Sequence, residues 1–133
     1  MIEPPAPPTA ADLYHTAEAA LARRDLAGAD RALAKLVTDM PTSPLVDQAL
    51  YERARIAFFR RAWGDARRHL DALAALGASS LTEPGRYLAC RVAVEAHDSS
   101  ARRCLNEYRA SYPKSPHDAD ARAMLSRLPR DPE

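Results

Sequence analysis

Glycine is scarce in this chain, with four residues in 133. None of them forms the glycine-rich loop that cradles a phosphate. Strand-forming β-branched residues are few: Ile2, Ile56, Val37, Val46, Val92, Val94 and a handful of threonines. That shortage argues against a sheet. Excess charge is missing too, since nineteen basic and eighteen acidic residues leave a formal +1. A nucleic-acid partner is therefore not expected. No apolar run approaches the roughly 18 residues that span a bilayer, so no membrane insertion is expected. The sequence lacks GxSxG, HExxH and CxxC. His15, His69, His97 and His117 are far apart with no partner at i+4, so they read as surface residues and not metal ligands. Asp118 and Asp120 read as carboxylates on a solvated helix. No catalytic residue, cofactor or metal is expected, and the chain reads as a non-enzyme.

What the chain does contain is alanine and leucine, which lose little side-chain entropy in a helix. The reading is all-α. Apolar residues recur at helical spacing in seven stretches separated by turn signals. Leu13, Ala17, Ala20 and Leu21 mark the first helix, capped by Thr9 or Asp12 and running to about Arg24. Asp25 to Gly28 form a turn before a second helix with Ala29, Leu33, Leu36 and Val37, which stops before Pro41. Ser43 and Pro44 open the third, with the serine as cap, and Ser115 and Pro116 open the seventh in the same way. The stripe of the fifth is Leu88, Ala89, Val92 and Val94.

The stretches repeat. Ala29, Leu33 and Leu36 correspond to Ala66, Leu70 and Leu73, and then to Ala101, Leu105 and Tyr108. Their starts are 37 and then 35 residues apart. The Pro41–Pro44 segment recurs at Pro113–Pro116, 72 residues on. Such periods mark stacked helix pairs that cannot bury their apolar faces alone. The expected architecture is three helical hairpins plus a closing helix whose outer side is polar.

Matched on its small residues, this pattern resembles the tetratricopeptide repeat, a helix pair of about 34 residues. Ala17, Ala54 and Ala89 fall at the small position of each first helix. Ala29, Ala66 and Ala101 fall at that of each second helix, and Pro41 and Pro113 at the closing proline. The resemblance covers residues 10–128. It implies a right-handed α-solenoid of three hairpins and a C-terminal capping helix. The Tyr112–His117 segment is most similar to bacterial envelope members: BamD-like outer-membrane assembly lipoproteins and the C-terminal domain of the Tol-Pal accessory protein CpoB. The proline-rich lead-in is similar to regions that follow the anchor of FecR-type regulators. Residues 1–9 read as a polyproline linker and 129–133 as a disordered tail. A linker in that place reads as part of a longer protein. The compartment would be periplasmic or envelope in that case and cytoplasmic otherwise.

The resemblance also implies a concave groove lined by the first helix of each pair. Carried over by position, it places there Tyr14 and Glu18, then Gln48, Tyr51, Arg55 and Phe59, then Arg86 and Cys90. Aromatic residues and arginine are the types enriched at binding hot spots. The implied function is a protein-interaction or scaffolding module holding a peptide or helix of a protein partner. Two alternatives stay open. Tyr51 and Phe59 can instead seal neighbouring hairpins, and the array can be an architectural element that stacks through its ends as a homo-oligomer. Phe58 or Trp63 is expected in the core. The arginine pairs 60–61, 67–68 and 102–103 read as a solvated face. Two cysteines invite a disulfide. The alignment sets Cys104 about a turn out of level with Cys90, so two buried or half-buried thiols are the expectation and a disulfide the alternative.

Overall fold

The computed structural model describes residues 3–130. Among them there are seven helices and no strand. They are α1 (Ala10–Ala22), α2 (Leu26–Asp39), α3 (Val46–Phe59), α4 (Trp63–Ala75), α5 (Thr82–Glu95), α6 (Ala101–Ser111) and α7 (Asp118–Arg127). Each helix packs on the next in sequence, and α3 also touches α5. No helix among the described residues is long and apolar enough to cross a membrane.

The turns repeat as faithfully as the helices. Two residues beyond the ends of α1, α3 and α5 stands a residue of left-handed backbone: Arg24 (φ 62°), Arg61 (φ 59°) and His97 (φ 55°). The amide after each donates back to a carbonyl five residues earlier. Those bonds are Asp25 to Ala20 and Ala62 to Ala57 at 2.8 Å, and Asp98 to Ala93 at 2.9 Å. This double-bonded ending satisfies orphaned carbonyls and reverses the chain. It recurs at intervals of 37 and 36 residues. Helices α2 and α4 therefore begin at Leu26 and Trp63, and Leu26 lies inside the turn expected over Asp25–Gly28.

The connectors between pairs share a second motif. The hydroxyls of Ser43, Ser79 and Ser115 accept from the amides two residues on, at 3.1, 3.1 and 3.0 Å. Spaced 36 apart, these serines build turns and do not cap helices, contrary to the expectation that Ser43 and Ser115 open α3 and α7. α3 starts at Val46 and α7 at Asp118, so Pro44 and Pro116 lie in the turns. At α1 the expectation holds: Thr9 and Asp12 cap each other's amides reciprocally, at 3.1 and 2.9 Å.

The core falls in two clusters. The larger runs from Leu13 to Val92 and contains fully buried Ala29, Leu33, Leu36, Ala49, Ala54 and Ala66. The smaller joins Cys90, Leu105, Tyr108 and Ala121. Phe58 and Trp63 are half-buried against the larger cluster, with ring centroids 5.4 Å apart. Small residues sit where helices approach closely. Ala49, Gly85 and Ala121, again 36 apart, are all buried. A Cβ on Gly85 would come within 3.1 Å of Leu73 Cδ2.

Cys90 and Cys104 form a disulfide, with Cα atoms 5.4 Å apart. This corrects the expectation of unpaired thiols. The turn before α6 is one residue shorter than its counterparts, because Ala101 follows Cys90 by 11 residues while Ala66 follows Ala54 by 12. That deletion brings Cys104 level with Cys90. Cys90, and not Ala89, is thus the buried small residue equivalent to Ala17 and Ala54.

α7 closes the array. Arg102 was expected on a solvated face, yet its Nη2 donates to the carbonyls of Leu128 at 2.9 Å and Pro129 at 3.0 Å. Its Nε is buried without a partner among the described residues. The other arginines of that ridge behave as surface groups: Arg67 pairs with Asp98 at 3.0 Å and Arg68 with Asp65.

Candidate functional site

Three clefts run along α1, α3, α5 and α7 and are joined by shared residues. The first, of about 300 Å³, lies between Tyr14, Glu18 and Leu21 on α1 and Glu52 and Arg55 on α3. The second, of about 240 Å³, shares Arg55 and lies between Tyr51 and Phe59 on α3 and Tyr87 and Arg91 on α5. The third, of about 730 Å³, shares Tyr87, Arg91 and His117 and reaches Asp120 and Met124 on α7.

The repeat register explains why these side chains line up. Tyr14, Tyr51 and Tyr87 are 37 and 36 residues apart, and so are Glu18, Arg55 and Arg91. Helical spacing of one turn, i to i+4, sets each charged residue beside its tyrosine on the same face. One row is therefore phenolic and its neighbour carries charge.

Of the residues marked by sequence, Tyr14, Glu18, Tyr51, Arg55 and Phe59 line the first two clefts. Gln48 is exposed but stands outside both. Arg86 lines a separate cleft of about 270 Å³ between α4 and α5, with Leu73 and Gly77. Cys90 is 1% exposed and held in the disulfide, so it faces no cleft. The cause is one slip of register: anchoring α5 on Ala89 put Arg86 where Tyr87 belongs. Tyr87, Arg91, Phe58, Glu52 and His117 were missed. The 36-residue spacing from Tyr51 and Arg55 was the signal that would have found Tyr87 and Arg91.

The cleft walls are held by polar contacts. Arg55 Nη1 donates to Glu52 at 3.1 Å. The Arg91 guanidinium sits 4.6 Å over the Phe58 ring, a cation–π contact that holds it across from α3. His117 stacks on Tyr87, with centroids 4.1 Å apart and planes 7° from parallel. Beneath them the Tyr108 phenol bonds Ser115 at 2.7 Å and donates to Glu83 at 3.1 Å, tying α5, α6 and the last connector together. Partial burial raises the phenol pKa of Tyr14, aided by Glu52, and that of Tyr87, aided by Asp120. Both phenols stay protonated and able to donate a hydrogen bond near neutrality.

Phe59 is 67% exposed, and its ring meets the Phe58 ring edge-on at 6.2 Å. It does not seal one pair against the next, whereas Tyr51 does pack partly on the core. Two histidines depart from the surface reading, since His69 and His117 are half-buried. Desolvation lowers the pKa of His69, with Arg53 adding to it.

Compared with protein-family models and with curated proteins, the chain matches none.

Proposed function

We propose that this chain is a right-handed α-solenoid of tetratricopeptide type, three hairpins closed by α7, and a non-enzymatic protein-interaction module. A segment of a protein partner lies along α1, α3 and α5 in contact with the tyrosine row. The observation that carries the reading is the paired register of Tyr14, Tyr51 and Tyr87 with Glu18, Arg55 and Arg91 along joined clefts. Half-buried aromatic faces bordered by arginine provide contact area at low entropic cost. The module acts without moving, as a pre-formed surface.

The alternative, stacking through the ends, is disfavoured by the residues there. The position that buries Ala49, Gly85 and Ala121 is Asp12 in α1, and Asp12 and His15 are exposed. At the other end, the positions of Leu50 and Cys90 become exposed Arg122 and Ser126 in α7. Both ends therefore lack an apolar face to bury. The disulfide supports an oxidising compartment, in keeping with the envelope proteins that the sequence resembles.

The test is affinity capture of partners with the wild-type chain, with Tyr51→Ala plus Arg55→Ala, and with Asp12→Ala plus His15→Ala. Circular dichroism first establishes that all three are folded. Partners lost by the first double variant and kept by the second support the assignment. Full retention by Tyr51→Ala plus Arg55→Ala defeats it.

A further inference from the structure

We propose that the cleft between α3 and α5 binds the proline-rich segment Pro4–Pro8 of a second copy of this chain as a polyproline II helix. This rests on the reading of that face as a binding surface and names its occupant. The segment reads Pro4, Pro5, Ala6, Pro7, Pro8, so prolines recur at i and i+3 twice over, as Pro4 with Pro7 and Pro5 with Pro8. All of them are exposed and outside any helix. A polyproline II helix has three residues per turn and rises about 3.1 Å per residue, so each such pair stands about 9 Å apart on one face. Tyr51 on α3 and Tyr87 on α5 are presented by two helices in contact, and both line the cleft. One proline pair is set across these two tyrosines, as in the grooves that read PxxP segments. The phenols supply hydrogen-bond donors for carbonyls that a polyproline helix leaves free.

Charge agrees with this placement. Glu3 is the only charged side chain among residues 1–10, and it directly precedes the prolines. Arg55 and Arg91 flank the cleft. Binding occurs between molecules because the Thr9–Asp12 capping box fixes the segment where it enters α1. The five residues from Thr9 back to Pro4 reach about 16 Å in that stiff conformation. Neither this stretch nor α1 lines the cleft, whose residues come from α3, α5 and the connector before α7.

The test uses a fluorescently labelled synthetic peptide of residues 1–9 and measures anisotropy on titration with the full chain. The chain carries Pro4→Ala, Pro5→Ala, Pro7→Ala and Pro8→Ala, so that its own segment does not compete. Saturable binding is expected. It should weaken about tenfold with Phe59→Ala, whose exposed ring can be removed without cost to the fold, and further with Tyr87→Ala. The peptide with its four prolines changed to alanine should not bind. Three results would overturn the proposal: no saturation at millimolar chain, equal binding of the alanine peptide, or affinity unmoved by both cleft variants. If the peptide fails while Tyr51→Ala plus Arg55→Ala still loses captured partners, the binding face stands and only this occupant falls.

Discussion

Arg102, in the first turn of α6, donates to the carbonyl of Leu128 at 2.9 Å, just beyond the end of α7. Together with the Arg109–Asp118 ion pair at 2.9 Å, it ties the closing helix to the last hairpin. A charged donor on otherwise unsatisfied carbonyls stabilises by about 1.5–3 kcal/mol. α7 buries only Ala121 completely, so it depends on this tie more than the other helices do. Arg102→Ala should speed amide hydrogen exchange in α7 well beyond any change in α1 or α2. Uniform acceleration along the chain would show that α7 is held by other means.

The Cys90–Cys104 disulfide closes a loop of 15 residues, 14 apart in number. Loop-closure entropy gives such a cross-link about 3 kcal/mol, or on the order of 10 °C in melting temperature for a chain of this size. Cys90→Ala with Cys104→Ser should show that loss. Alanine is already accommodated at the matching positions 17 and 54, so little packing is sacrificed. Adding reductant to the wild-type chain should reproduce most of the shift, and identical melting with and without it would contradict the prediction.

Left-handed backbone at Arg24 and Arg61 costs a residue with a Cβ about 1 kcal/mol relative to glycine. Arg61→Gly should therefore stabilise the chain by about that amount in urea unfolding. Arg31→Gly, in the exposed middle of α2, should destabilise by a similar amount. If both glycines destabilise, the turn geometry is misassigned.

Asp98 should govern part of the acid response. Its carboxylate accepts from the Ser100 hydroxyl at 2.7 Å, the Ser100 amide at 2.8 Å and Arg67 at 3.0 Å. These bonds lower its pKa to about 2, from an unfolded value near 3.8. A lowered carboxylate pKa means stability that is fully present above the unfolded value and is lost as pH falls through the folded one. The wild-type chain should lose stability between about pH 4 and 2. Asp98→Asn should be less stable at neutrality and flatter across that window. Parallel curves for the two would rule out this role.

Helical class and repeat period were legible in the sequence because alanine, leucine and proline report them directly. Ala29, Ala66 and Ala101 occupy equivalent buried sites, as their spacing implied. The third repeat was harder to read. Cysteine is small and as readily buried as alanine, so nothing in the local pattern favoured Cys90 over its neighbour Ala89. That single residue decided whether Tyr87 or Arg86 belonged to the row that lines the clefts. The serine turns were misread for a related reason: a serine followed by proline fits a helix cap as well as a turn, and only the backbone distinguishes them. The anchoring role of Arg102 had no sequence signal, since it depends on where α7 ends in space.

The cross-linked positions have counterparts in each earlier hairpin. Ala17 and Ala32 occupy them in the first pair, and Ala54 and His69 in the second. Ala17 and Ala32 are both buried and polar-free. Because those pairs stand 15 residues apart and the cysteines 14, the covalent staple belongs to the hairpin whose turn is shortened, and small uncharged side chains fill its place in the first.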